Sequence, residues 1–184
     1  MTSHVNGTLS PLFRRLRAKA CNPFVTGRVL DFGCNIGALS EEVTFDTYTG
    51  IDVEAQALEK ARILHPDLTF LHADDDLGDR VFDTIVMMAV IEYVANRVAL
   101  FDRLAGYLAP GGRLIITSPD PAILVVRAVG GRLGLLANDE RHLRRGLPSA
   151  AQICCDLAQV GLIVNHRSRF MLGFNHLIVA GHPA

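Results

Sequence analysis

The chain has 184 residues, 49% of them hydrophobic and 20% charged. That supports one domain with a sizeable core and excludes a disordered chain. A net charge of −1 excludes global steering toward nucleic acid or a membrane surface.

Charge is uneven along the chain. No acidic residue precedes Asp31, whereas Arg14, Arg15, Arg17, Lys19 and Arg28 are basic. Such an acid-poor start resembles an organellar transit peptide, but "PLFRRLRAKA" lacks the apolar core of a secretory signal. Leu12, Phe13 and Leu16 at helical spacing predict a short N-terminal helix that packs on the domain or lids a site. No apolar run reaches the ~18 residues of a membrane span. The four cysteines, Cys21, Cys34, Cys154 and Cys155, show no CxxC spacing, and the seven histidines form no HxxxH or HExxH pair. Neither a disulfide framework nor a metal site is expected, and a reducing cytoplasm is the expected location.

From residue 28 onward, short apolar runs alternate with helical ones. Strands are predicted at "RVLDF", "YTGID", "TFLHA", "FDTIVMM" and "RLIITS". Each is apolar or β-branched, as expected of parallel strands covered by helices on both faces. Between them, "EAQALEKARIL" puts Ala57, Leu58, Ala61 and Leu64 on one face. "NRVALFDRLAGYL" aligns Val98, Phe101, Leu104, Ala105 and Leu108, with Asn96 as N-cap and "APGG" as a stop. After Ser118 come the apolar "PDPAILVVRAVGGRLGLL", the basic "DERHLRRGLPS", a helix at "SAAQICCDLAQVG", and two closing strands at "LIVNHRSRF" and "NHLIVAG". The expected fold is α/β: one Rossmann-like doubly wound sheet, mostly parallel with a C-terminal antiparallel strand and helices on both faces. The single domain, 1–184, divides into an N-terminal helix or lid (1–27), a cofactor-binding half (28–118), and an acceptor-side insert with closing strands (119–184).

The first strand runs into Gly33-Cys34-Asn35-Ile36-Gly37. In open α/β sheets ligands bind beyond the carboxyl ends of strands. A dinucleotide fingerprint would read Gly33, Asn35, Ala38, with its central glycine missing. Asp31 would also repel a pyrophosphate and suits a ligand with an ammonium group. A nicotinamide-dependent reductase is therefore disfavoured. Asp52, at the end of the second strand, is placed either to bind two ribose hydroxyls or to cap the next helix. Asp74, Asp75 and Asp76 end the third strand, as acceptors for an adenine amino group or as a solvated turn. Asn35 is one of the few non-glycine residues that tolerate positive φ, so the turn is expected to survive it.

Taken together, these motifs resemble the class I S-adenosylmethionine-dependent methyltransferases, of the small-molecule type 11/12 kind. "VLDFGCNIGAL" is similar to the family's VLDxGCGxG, and "YTGIDVEAQALEKAR" to its second motif. "FDTIVMMAVIEYVANRVALFDRLAGYLAPGGRLIITSPDP" resembles its FDxVxxxxVLEHV…LxPGGxL stretch. The likeness covers roughly residues 28–121, in order. It implies S-adenosyl-L-methionine as cofactor and S-adenosyl-L-homocysteine as product. It implies that Asp31, Gly33, Cys34, Asn35 and Gly37 hold the cofactor's methionine part and that Asp52 takes the ribose. Val53, Asp74 and Asp75 would flank the adenine, Met88 would lie near the sulfonium, and Val90 would form an apolar wall. Glu92 matches the family's Glu, but Tyr93 stands where His is usual.

Methyl transfer from an activated sulfonium needs positioning, and a base only if the acceptor must lose a proton. Candidates for that base are His142, Tyr93 and His176. His142 lies in a charged loop where it is equally a surface residue. Asn175 and His176 lie in "RFMLGFNHLIV", where they face a pocket or simply finish the sheet. Arg127, Arg132, Arg141, Arg144 and Arg145, with Asp139 and Glu140, form a solvated face or receive an anionic acceptor. The expected activity is methyl transfer to a small-molecule or glycolipid/saccharide-type acceptor. The alternative is a catalytically degenerate binder of the cofactor or its product, motivated by Asn35 and Tyr93. "MMAV" stands where DNA and protein amide methylases resemble an Asn-Pro-Pro-Tyr-type tetrapeptide, so no nucleic-acid partner is expected; a homodimer is left open.

Overall fold

A computed structural model describes residues 10–123 and 147–183. The apolar runs become one seven-stranded sheet in the order β3-β2-β1-β4-β5-β7-β6. Its strands are β1 (Arg28–Phe32), β2 (Thr47–Asp52), β3 (Thr69–His72), β4 (Phe82–Met88), β5 (Leu108–Pro119), β6 (Ile163–Phe170) and β7 (Asn175–Gly181). Strands β1 to β5 pair parallel, and β7 enters antiparallel between β5 and β6. The expected sheet is thus present, with β7 as its antiparallel strand.

Helices α1 (Ser10–Cys21) and α2 (Ala55–Leu64) pack on one face, through Ala18, Cys21, Leu58 and Ala61. Helices α3 (Arg97–Gly106) and α4 (Ala150–Gln159) pack on the other, through Phe101, Leu104, Ile153 and Leu157. Between these layers Leu30, Ile85, Ile115 and Ile116 are wholly buried. Each such side chain contributes about 1.5–3 kcal/mol of transfer free energy. Asn96 caps α3 as expected, accepting the Ala99 N–H at 3.1 Å, and Ser149 and Gln152 form a reciprocal capping box on α4.

Three local expectations need correction. Leu12 and Leu16 are exposed, and α1 instead turns Ala18 and Cys21 inward. The reason is polar: Arg17 Nε donates to Asn175 Oδ1 at 3.2 Å, so the helix docks with an arginine on its inner side. Second, "APGG" does more than end α3. It makes a bulge inside β5, so that Phe82 pairs with Leu108 but Thr84 with Arg113. Third, Asp52 does not cap α2. Its N-cap is Glu54, whose carbonyl accepts the Ala57 and Leu58 N–H groups.

The connection from β1 to β2 holds no regular helix. Gly37, Ser40 and Glu42 each donate to the carbonyl three residues back, at 2.9–3.0 Å. At the amino end of β1 and β4, Arg28 grips both Asp83 carboxylate oxygens at 2.9 Å. That pairing holds the Asp83 carboxyl down to about 2. Among the described residues no helix is long and apolar enough to cross a membrane. His142 and the arginines at 127, 132, 141, 144 and 145 lie outside the described residues.

Candidate functional site

The chain leaves β1 for β2 and β3 on one side, then returns to place β4 on the other side of β1. The crevice beyond the carboxyl ends of β1 and β4 is therefore the topological switch point, where open α/β sheets bind ligands. Two segments line it: the 33–37 turn after β1, and residues 89–93 after β4.

The 33–37 turn alternates in backbone sign, with φ of +79° at Gly33, +51° at Asn35 and +79° at Gly37. Asn35 thus adopts the left-handed conformation that its side chain tolerates, and the turn keeps its shape without a central glycine. The Gly33 and Cys34 N–H groups both donate to the Ile51 carbonyl, at 2.8 and 3.0 Å. The Asn35 N–H donates to Asp52 Oδ2 at 2.8 Å, and that of Gly37 to the Cys34 carbonyl at 2.9 Å. All four backbone amides are therefore already engaged within the fold. A carboxylate arriving here meets the exposed Asn35 side chain instead. Asn35→Gly is expected to change S-adenosylhomocysteine affinity by no more than about tenfold, ~1.4 kcal/mol. Calorimetry checks this, and a large gain would favour the degenerate-binder alternative.

The expected cofactor residues fall into three groups. Asp31 is buried at the end of β1, where the Tyr48 hydroxyl donates to Oδ2 at 2.6 Å. Its Oδ1 is buried without a partner. Burial pushes the Asp31 carboxyl up to about 7, against the Tyr48 hydrogen bond and helped by the nearby Asp52 charge. Cys34 is buried beneath the turn beside Gly50, where a β-carbon would lie 2.8 Å from its sulfur. Burial raises the Cys34 thiol well above its ordinary range, so it packs as a neutral group.

Asp52 ties the turn to β2. Besides Asn35, its Oδ1 accepts the Glu54 N–H at 3.0 Å. Val53 beside it is 73% exposed, an apolar side chain left open at the ligand edge. Asp75 is turned back on the backbone, accepting the His72 N–H at 2.8 Å, while Asp74 stays exposed. The sequence reading passed over His72. It is the register partner of Asp52. Its Nδ1 accepts the Asp74 N–H at 3.3 Å, which leaves Nε2–H to donate to the Val53 carbonyl at 3.2 Å. His72 thus pins the β2 and β3 ends together; its place at a parallel strand's carboxyl end was the available signal.

Beyond β4, Met88 is half-buried and paired with Thr117. Ala89 has φ +55°, a strained value for a residue with a β-carbon, and Val90 packs directly against Gly33. Tyr93 ends a 3₁₀ turn (Ile91–Tyr93) and is half exposed. His176 lies further along the edge, 2% exposed on β7, with Nε2 2.8 Å from Asp120 Oδ2. Asp120 was also passed over; its signal is its place directly after the fifth strand, in "SPDP". Among the described residues no group of acids, histidines and cysteines is arranged to hold a metal ion.

The chain as a whole has relatives. A sequence family described as a methyltransferase domain matches residues 1–166. An uncharacterized methyltransferase of Mycobacterium tuberculosis is 30% identical over 109 residues, 55% of each chain. A trans-aconitate 2-methyltransferase of Rhizobium rhizogenes is 35% identical over 100 residues, covering 50% of this chain and 39% of its own. A ubiquinone biosynthesis O-methyltransferase of Xylella fastidiosa is 32% identical over 106 residues, 52% and 43% of the two chains. The matches thus span about half or less of these relatives. An S-adenosylmethionine-dependent methyltransferase structure from Mesorhizobium loti superimposes with a TM-score of 0.67 at 22% identity, covering 95% of this chain and 98% of that one. The magnesium protoporphyrin IX methyltransferase of Synechocystis, solved with bound S-adenosylhomocysteine, gives 0.70 at 16% identity, covering 100% and 90%. The chain belongs to the methyltransferase domain family and has the class I S-adenosylmethionine-dependent methyltransferase fold.

Proposed function

We propose that the protein transfers a methyl group from S-adenosylmethionine to a small-molecule acceptor. One observation carries this reading: the buried, partnerless Asp31 Oδ1 at the switch point, beside a turn that keeps three positive φ values. A buried carboxylate oxygen without a donor is costly, and a ligand ammonium would satisfy it. Asp52 would take the ribose, Val53 the adenine face, and the Asn35 side-chain NH2 the methionine carboxylate. When bound, the cofactor supplies an activated methyl group on a sulfonium. The chain's own residues bind, orient and exclude water.

In this reading the subsites follow one another along one edge of the sheet. Adenine and ribose contacts come from β3 and β2, methionine contacts from β1, and the acceptor side from β4, β5 and β7. Relatives named for trans-aconitate and for ubiquinone biosynthesis support a small-molecule acceptor. Four free cysteines, one of them the exposed Cys155, suit a reducing cytoplasm. The degenerate-binder alternative loses its main motive, because Asn35 keeps the turn.

Calorimetry with S-adenosylhomocysteine and with NADH tests the reading. Binding of the first and not the second is expected; no binding of the first by folded protein sinks it. Asp52→Ala is expected to weaken S-adenosylhomocysteine binding by ~1–3 kcal/mol, since it strands the ribose and also frees the Asn35 and Glu54 amides. Unchanged affinity in that variant would show that Asp52 only braces the turn.

A further inference from the structure

We propose that His176 and Asp120 form a base dyad that removes a proton from a hydroxyl of the methyl acceptor. The acceptor is then a phenol or enol rather than a carboxylate. This rests on the methyltransferase reading above and extends it to the acceptor's chemistry.

The dyad is built rather than incidental. Asp120 Oδ1 accepts the Ala122 N–H at 2.8 Å, and the Asp120 N–H donates to the Phe174 carbonyl at 2.8 Å. Arg169 on β6 places its guanidinium 3.3 Å from Oδ2. The Ala122 hydrogen bond, with His176 and Arg169, holds the Asp120 carboxyl below its ordinary range. An ionised Asp120 can only accept, so the hydrogen it shares with His176 sits on Nε2. The basic lone pair is therefore on Nδ1, which is buried and has no partner.

Burial pulls the His176 pKa below its ordinary value, against Asp120 and with Arg169 and Arg167. That direction favours the neutral ring, as a base requires. A histidine that merely finishes the sheet would find a partner for its second nitrogen; this one is held by its first and is buried without a partner at the other.

Its place in the sheet fits the role. His176 pairs with Ser118 near the carboxyl end of β5, two strands from β4. At ~4.8 Å per strand it stands about 10 Å along the edge from β4, on the side left for the acceptor. A carboxylate acceptor arrives ionised and needs no base; a hydroxyl does. The acceptor oxygen forms its bond to the methyl carbon as its proton passes to Nδ1. The carbon–sulfur bond breaks with its electron pair left on sulfur, and the proton then leaves the imidazole for water. His176 is the catalytic residue, and Asp120 positions it by fixing the tautomer.

The test uses tritiated methyl transfer to catechol, to trans-aconitate and to a small-molecule extract of bacterial cells. Product label is expected to survive alkali, as a methyl ether does, and to be released by hot hydriodic acid. His176→Gln keeps a donor for Asp120 but has no base; it and His176→Asn should each lose about 10²–10⁴-fold in rate. Both should bind S-adenosylhomocysteine as the wild type does. Nitrogen NMR should show His176 protonated on Nε2 alone in the wild type, with that preference lost in Asp120→Asn. Alkali-labile label, a His176 variant with wild-type rate, a proton on Nδ1, or no transfer in any arm by protein that binds S-adenosylhomocysteine each overturns the dyad. Failure of the wild type to bind S-adenosylhomocysteine overturns the methyltransferase reading and the dyad with it.

Discussion

Replacing Gly33 with alanine is expected to lower folding stability by about 2–5 kcal/mol and to abolish measurable S-adenosylhomocysteine binding. Two costs combine. Gly33 has φ +79°, a conformation that costs a residue with a β-carbon roughly 1–2 kcal/mol. The added β-carbon would also overlap Val90 Cγ2, on a β-branched side chain with little freedom to turn away. Overpacking of that kind costs about 1–3 kcal/mol. The two are separable. Val90→Ala in the Gly33→Ala background should recover the packing part and leave the backbone part. Urea unfolding of both single variants and the double variant gives the coupling directly. A Gly33→Ala protein with the wild-type urea midpoint, or a double variant no more stable than Gly33→Ala, would remove the claim that the two segments meet at this glycine. On the proposed reading the consequence reaches function, because this contact joins the turn after β1 to the segment after β4, the two segments that line the crevice.

Much of this fold was legible because strands covered on both faces read as continuous apolar runs. "RVLDF", "FDTIVMM" and "NHLIVAG" coincide with β1, β4 and β7. The glycine turn was legible for a different reason: it is local, and Asn35 is one of the few residues able to replace glycine at its φ. What stayed hidden depended on distant partners. The N-terminal helix reads as apolar through Leu12, Phe13 and Leu16, yet it docks with Arg17 turned toward Asn175, 158 residues away. Periodicity cannot show that a polar neighbour waits beneath a helix. "APGG" carries the signature of a helix stop, and only the pairing of β5 with β4 reveals it as a bulge. His176 was a candidate by position alone. Its partner Asp120 lies 56 residues earlier, and what distinguishes the pair, one ring nitrogen held and the other buried without a partner, exists only once β5 and β7 are side by side.

Asp31 is expected to contribute stability that is lost as pH rises from about 4 to about 7, and affinity for S-adenosylhomocysteine is expected to rise over the same range. Both follow from Asp31, whose carboxyl burial lifts from 3.8 to about 7. The folded state holds that proton more tightly than the unfolded chain. The stabilisation is therefore complete below about pH 4 and is lost as pH climbs to about 7. Three decades of proton affinity, from 3.8 to about 7, correspond to about 4 kcal/mol. Ligand binding runs the other way. If Asp31 meets the ligand ammonium, only its ionised form does so, and binding below pH 7 must expel the proton. Affinity then climbs by at most about tenfold per pH unit, and levels off once Asp31 is ionised in the free protein. Calorimetry at pH 6 in two buffers of different ionisation enthalpy should show close to one proton released per ligand bound. Asp31→Asn keeps an acceptor for the Tyr48 hydroxyl but cannot ionise. In that variant the Asp31 contribution to the stability slope should vanish, proton release should cease, and affinity should fall at pH 8. Proton release of zero by the wild type at pH 6 would separate Asp31 from the ammonium, and would leave its buried oxygen to be explained by packing against Tyr48 alone.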